Sequence, residues 1–321
     1  MNPYRLIEKI YFSSDRLTID IAMRPIILLL SCLIFSQLLL AADKKLHLLS
    51  AEEVDAFVYP EPYVRIPYGD DTEQFADLRV PEGSGSHPVI IWIHGGCWLA
   101  EYGGVSPYGK LLEAFAKHGI ASWNIEYRRI GNEGGGWPGT FQDVIRGADK
   151  LLEVAEEYNL DTTRVVAGGH SAGGHLALWL GARGRFNEKS LLSSSMEIQL
   201  QGIFALAPAA DLAYLHEQKV CGHVVDKLMG GSPQKFPERY AQVSATELVP
   251  IGLPQLLIIG EHDKKWRPVG ERYYQAAEIA GDEVRMIIAA ESGHFEMMDP
   301  DSSSWPLVLK GLHELMGLSS K

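Results

Sequence analysis

Val165-Val166-Ala167-Gly168-Gly169-His170-Ser171-Ala172-Gly173-Gly174-His175 decides the fold of this chain. A short apolar run leads in, and the helix-forming run Leu176-Ala177-Leu178-Trp179-Leu180 leads out. The stretch therefore reads as a strand, a sharp turn at Ser171 and a helix. Within it, Gly169-His170-Ser171-Ala172-Gly173 matches Gly-x-Ser-x-Gly, the turn called a nucleophile elbow. Small residues are needed on both sides of the serine, because the first helical turn crowds the end of the strand. The helix N-terminus aims its free amide hydrogens at whatever the serine attacks. Stripped of that chemistry, the same residues would be a glycine-rich turn.

Outward from the elbow, the pattern repeats. Val89-Ile90-Ile91-Trp92-Ile93-His94 is a nearly unbroken apolar run, as expected of a central strand buried on both faces. Residues 120–125, 203–206, 256–259 and 284–288 read as further strands, and 64–68 with 75–80 as a pair around Gly69-Asp70-Asp71. Helical spacing is expected over 105–118, 141–158, 269–280 and 305–318. Residues 46–56 form a short lead-in, and 209–242 an irregular to helical insertion near the site. Strands alternating with helices imply an α/β fold, a mostly parallel sheet covered on both faces. The site of such a sheet lies outside the carboxyl ends of its strands. No internal repeat and no second globular domain is read.

The chain has 321 residues, 46% of them hydrophobic, enough for the core of one large domain. Its net charge is −12 and it has no run of lysine and arginine, which argues against nucleic acid as a partner. Three cysteines, at 32, 97 and 221, are too few and too scattered for a disulfide scaffold or a zinc site. Whether Cys97 and Cys221 pair depends on geometry that a sequence does not supply. Residues 1–42 read as an N-terminal extension and 43–321 as the catalytic domain. Arg24 precedes an uncharged run over 26–42 that ends in Ala41-Ala42, before Asp43-Lys44-Lys45. This suits a secretory signal, with Met23 as an alternative start, or an uncleaved membrane anchor. Either way, the basic flank places the domain outside the cytoplasm, periplasmic or secreted.

A serine hydroxyl is a poor nucleophile until a base takes its proton, and a carboxylate usually orients that base. Behind an elbow the order is serine, acid, histidine. His294 is the expected base, in Glu291-Ser292-Gly293-His294-Phe295 just past a strand, where Gly293 frees the loop. His313 falls in the last helix, His216 and His223 in the insertion, and His170 and His175 are tied to the elbow. Asp263 is the expected acid, in the turn Gly260-Glu261-His262-Asp263 after a strand, with Glu261 and Asp211 as rivals. Its bland reading is a helix-capping or turn aspartate. His94-Gly95-Gly96-Cys97-Trp98 leaves the central strand as a glycine pair whose amides can approach an oxyanion closely. The expected donors are the backbone N–H groups of Ala172 and of Gly96 or Gly95. Trp98, Tyr102 and Trp137 are candidates for the substrate pocket, or ordinary packing residues. A histidine base works only as neutral imidazole, so activity is expected to rise through roughly pH 6 to 7.

His94-Gly95-Gly96 with Trp98, Gly169-His170-Ser171-Ala172-Gly173-Gly174, Asp263 and Gly293-His294-Phe295 together resemble the esterase and kynurenine formamidase branch of the α/β-hydrolases. Glu126-Tyr127-Arg128 and Gly136-Trp137-Pro138-Gly139 with Asp143 are similar to segments of bacterial members of the group. The likeness runs from about Val64 to the C-terminus. It implies a doubly wound, eight-stranded sheet and a Ser171–His294–Asp263 triad that needs no metal or organic cofactor. Cys97 stands where hormone-sensitive-lipase relatives carry a third glycine, and Lys264-Lys265-Trp266-Arg267 replaces smaller or apolar residues after the acid. The resemblance and the export signal together suggest a carboxylesterase acting on a small-molecule ester. The alternatives are an aryl formamidase, cleaving the amide of N-formylkynurenine, and a non-catalytic binding domain on a hydrolase fold.

Overall fold

The computed structural model describes residues 46–185, 190–193 and 198–318. The run at 26–42, expected as a signal or anchor, and Cys32 lie outside the described residues. From Leu48 onward the chain forms one compact unit.

Apolar, β-branched runs supply the strands of a single sheet. They are β1 (Val64–Pro67), β2 (Phe75–Arg79), β3 (His87–Ile93), β4 (Ala121–Ile125), β5 (Leu160–His170), β6 (Gly202–Leu206), β7 (Gln255–Gly260) and β8 (Val284–Ala289). They pair in the order β1-β2-β4-β3-β5-β6-β7-β8 in one eight-stranded sheet. β1 with β2 and β2 with β4 are antiparallel, and every other pair is parallel. Ile90, Ile91, Trp92 and Ile93 of β3 are wholly buried, as a central strand covered on both faces requires. One core cluster contains Ile91, Trp123, Val165 and Trp179, and the other Ile90, Trp92, Phe115 and Leu312. Alternate residues of one strand thus feed opposite cores.

The covering helices are α1 (Ala51–Asp55), α2 (Gly109–Lys117), α3 (Gly139–Val154), α4 (Ala172–Gly181), α5 (Leu212–Glu217), α6 (Val224–Met229), α7 (Pro237–Val243), α8 (Arg267–Ala280) and α9 (Trp305–Leu315). Two elements differ from the sequence reading. The helix expected over 141–158 begins at Gly139 and ends at Val154. The lead-in carries α1, closed by a capping box: Ser50 Oγ accepts the Glu53 amide at 3.3 Å and Glu53 Oε2 the Ser50 amide at 2.9 Å. The insertion over 209–242 is irregular to helical as expected, with three short helices, α5 to α7.

The elbow is pressed against the end of β3, and this brings the serine to the glycine-rich turn. Ile93 pairs with Gly169 across the sheet. A Cβ on Gly173 would lie 1.9 Å from the Ile93 carbonyl oxygen, and one on Gly169 would lie 2.4 Å from the Gly173 backbone. Only residues without Cβ permit so close an approach.

Candidate active site

Ser171 joins β5 to α4 with φ 56° and ψ −117°, a conformation that costs a non-glycine residue energy. The surrounding hydrogen bonds hold it there. Its amide donates to the Leu206 carbonyl at 2.9 Å, and its carbonyl accepts the amides of His175 at 3.1 Å and Ala209 at 3.0 Å. The side chain faces a cavity of about 350 Å³ that His294 and Asp263 also line.

Asp263 and His294 come from adjacent strands, β7 and β8, each from the loop after its carboxyl end. His294 Nδ1 lies 2.6 Å from Asp263 Oδ2, and the carboxylate can only accept, so Nδ1 carries the hydrogen. Asp263 Oδ1 accepts the Trp266 amide at 3.1 Å, so this aspartate organises its turn and orients the imidazole at once. Trp266 stacks on the His294 ring at 5.1 Å with an 18° tilt, and His170 covers it from 4.5 Å. The rival acids are placed elsewhere. Asp211 caps α5 by accepting the Tyr214 amide at 2.9 Å and pairs with Arg272, and Glu261 is exposed beside His262.

The turn after β3 is built on a buried ionic hub. His94 Nε2 meets Glu126 Oε1 at 2.8 Å, its ring stacks on Tyr127 at 4.3 Å, and the Tyr127 hydroxyl donates to the His94 carbonyl at 2.9 Å. Glu126 also accepts the Val105 amide and pairs with Arg129. Burial opposes the charge on Glu126, but His94 and Arg129 hold its carboxyl below the usual range. Arg128 forms a two-pronged pair with buried Asp143, at 2.7 and 2.9 Å. Glu126 and Tyr127 thus shape this turn, while Arg128 and Asp143 tie the segment after β4 to α3.

Past His94 the chain passes through φ 92° at Gly96, 49° at Cys97 and 56° at Trp98. The Gly95 amide is not free, as it donates to the Tyr108 hydroxyl at 2.8 Å. This corrects the expectation that Gly95 is an oxyanion donor. Among the described residues, the amides of Gly96 and Cys97 donate to no protein acceptor. Ala172 is the first residue of α4, so its amide has no partner within the helix. Cys97 follows the glycine pair directly, so its amide lies one residue beyond the expected donors. Cys97 and Cys221 form a disulfide that ties this turn to the segment between α5 and α6.

Tyr102 lines the cavity as expected, but Trp98 and Trp137 do not. Trp98 is wholly buried and packs edge-on against His175 at 5.4 Å, and Trp137 packs against Phe141 at 5.8 Å. Both belong to the packing of one core cluster. The walls instead include Val54 of α1, Pro107, Tyr108, Trp266, Phe295 and Met298.

Residues 76–269, more than half of the chain, match the BD-FAE family model. This chain belongs to the BD-FAE family. The match takes in Ser171 and Asp263 and ends before His294. Among curated relatives of this BD-FAE protein is a probable isoprenylcysteine alpha-carbonyl methylesterase of Arabidopsis thaliana, 31% identical over 39% of the chain. The match spans about a quarter of that relative, 26% of its length. The kynurenine formamidase of Danio rerio is 23% identical over 79% of the chain and 82% of its own length. Esterase B of Lactobacillus rhamnosis superposes with a TM-score of 0.70 at 20% identity, covering 92% of this chain and 97% of that one. The fold is that of the α/β-hydrolases, in the branch that holds esterases.

Two buried histidines of the BD-FAE fold make its stability sensitive to acid. Burial holds His170 well below the ordinary histidine range, with His294 adding to the effect, and burial pushes His175 down to about 4. Both stay neutral when folded, whereas the unfolded chain protonates them below pH 6.5, the ordinary value. Their contribution is therefore complete above that value and is lost as the pH falls towards the folded values. For His175 alone the loss approaches about 3 kcal/mol. Tm is expected to fall on acidification from pH 7 to pH 4, and His175→Gln, which keeps a donor for the Val243 carbonyl, flattens the slope. An unchanged slope in that variant contradicts the assignment.

Proposed function

We propose that this chain is a serine carboxylesterase that cleaves small or aryl esters through an acyl-enzyme, outside the cytoplasm. The observation that carries the reading is the 2.6 Å contact from His294 Nδ1 to Asp263 Oδ2, in the cavity that Ser171 lines. With Nδ1–H donated to Asp263, His294 Nε2 takes the serine proton as Oγ attacks the ester carbonyl. The tetrahedral oxyanion is held by the amides of Gly96, Cys97 and Ala172, each donor being worth about 3 kcal/mol in the transition state. Collapse expels the alcohol, protonated by the imidazolium that Asp263 stabilises. Water, activated by the same histidine, then releases the acid. No step needs a metal or an organic cofactor.

Several features support the substrate and the compartment. A cavity of about 350 Å³ with largely apolar walls suits a short acyl chain or a single ring. The Cys97–Cys221 bridge belongs to an oxidising compartment, in keeping with export directed by 26–42, which either is cleaved or anchors the protein to a membrane. A second reading, aryl formamidase, is favoured by similarity to the Danio rerio protein along most of its length.

The test compares initial rates of the full chain on nitrophenyl acetate and on N-formylkynurenine, with fluorophosphonate labelling alongside. Rapid ester cleavage with negligible formamidase activity is the expected result. The reverse ratio moves the assignment to the second reading. Folded protein that neither turns over nor labels is a non-catalytic binding domain.

A further inference from the structure

His170 stands directly before the nucleophile, and its side chain does something the triad does not use. The ring lies between two loops that come from different parts of the sheet. Its Nε2 is 2.9 Å from the His294 carbonyl oxygen, and its Nδ1 is 3.3 Å from the Tyr108 hydroxyl. That hydroxyl in turn lies 2.8 Å from the Gly95 amide nitrogen. His170 and Tyr108 are 1% and 4% exposed, so water does not compete for these groups.

The chemistry of the end groups fixes the direction of every bond. A backbone amide only donates, so Gly95 N–H donates to Tyr108 Oη. A backbone carbonyl only accepts, so His170 donates Nε2–H to His294. The neutral ring then offers a lone pair at Nδ1, and the Tyr108 hydroxyl hydrogen points to it. The chain of bonds runs from the turn after β3, through Tyr108 and His170, to the loop after β8. A protonated ring would leave the Tyr108 hydroxyl hydrogen without its acceptor, and burial keeps the ring neutral.

We propose that His170 and Tyr108 are positioning residues whose single directional hydrogen-bond chain sets the oxyanion turn and the base loop at a fixed separation on either side of Ser171. At one end, the bond from Gly95 turns that amide inward, so that the next amides, of Gly96 and Cys97, are left for the cavity. At the other end, the bond to the His294 carbonyl fixes the backbone from which the imidazole projects. Neither residue takes a proton in the reaction. Both act through the geometry of the groups that meet the substrate, and misplacement of such groups by about 1 Å costs on the order of a hundredfold in rate. The proposal rests on the serine-esterase reading for its kinetic consequences, but the bonding pattern stands without it.

The test uses four variants of the full chain, chosen for the bonds they keep. Tyr108→Phe removes one oxygen and with it two bonds, those to the Gly95 amide and to His170. His170→Gln keeps a donor at the Nε2 position and loses the acceptor for Tyr108. His170→Asn keeps an acceptor at the Nδ1 position and loses the bond to His294. His170→Phe loses both. In Tyr108→Phe and His170→Phe, kcat is expected to fall about tenfold to a hundredfold while KM stays within about threefold. Because the bond lost in His170→Gln is one that Tyr108→Phe already breaks, the double variant is expected to be no slower than the slower single one. Tyr108→Phe combined with His170→Asn breaks all three bonds, and is expected to be slower than either. Losses that multiply in the first pair, or kcat within twofold of wild type in Tyr108→Phe, overturn the proposal. Long-range imidazole nitrogen NMR of the wild-type chain supplies a readout independent of turnover. It is expected to show His170 as the Nε2–H tautomer. The Nδ1–H tautomer overturns the chain even if the protein proves to be an active esterase. The Nε2–H tautomer in a protein without esterase activity upholds the bonding and sinks only the functional reading.

Discussion

Ser171→Ala is expected to lower kcat for ester hydrolysis by about 10⁵- to 10⁶-fold, the scale found when a triad nucleophile is removed. The loss is chemical, because alanine keeps the Cβ and the backbone of the elbow. The amide and carbonyl bonds of residue 171, to Leu206, His175 and Ala209, involve no side-chain atom and survive the change. Tm should therefore stay within a few degrees of wild type, and fluorophosphonate labelling should vanish. Residual hydrolysis above the uncatalysed rate is expected, since the amides of Gly96, Cys97 and Ala172 remain to polarise a bound carbonyl. Progress curves at high enzyme concentration, with mass spectrometry for the covalent adduct, measure both quantities. Retention of more than a few per cent of wild-type kcat would remove Ser171 from the nucleophile's role.

Asp263→Asn is expected to cost about 10⁴-fold in kcat, for a reason visible in the hydrogen bonds. Asp263 uses one oxygen for the Trp266 amide and the other for His294 Nδ1. Asparagine has one oxygen, and the Trp266 amide can only donate, so the oxygen goes to Trp266. The NH₂ group is left facing Nδ1, which must then accept, and the imidazole hydrogen moves to Nε2. That is the nitrogen needed as base, so the variant folds with its base blocked. Asp211→Asn is the control, because Asp211 caps α5 and its loss should leave kcat within about twofold. Rates of both variants, with the His294 tautomer read by NMR, decide the matter. Equal losses in the two would point to a general effect on folding.

Much of the site was legible because the chemistry imposes local sequence. An elbow needs glycine where the helix meets β3, and the 1.9 Å approach at Gly173 shows why. Asp263 and His294 were legible by position, each just past a strand. The short distance between them was not, since it depends on β7 and β8 lying side by side. The missed α1 had its signal in the sequence, as Ser50 and Glu53 have capping-box spacing.

The sequence alone determined the α/β pattern, the elbow and the residue types of a hydrolase, because strand periodicity, turn stereochemistry and nucleophile activation act over a few neighbouring residues. Only the tertiary structure decided which groups meet. It paired Cys97 with Cys221 across 124 positions, sent Trp98 and Trp137 into packing, and engaged the Gly95 amide with Tyr108. These outcomes depend on where separate loops converge over the carboxyl ends of the strands. Hydrogen bonds form and apolar surfaces are buried at distances of a few ångströms, and no spacing along the chain encodes such distances between distant segments.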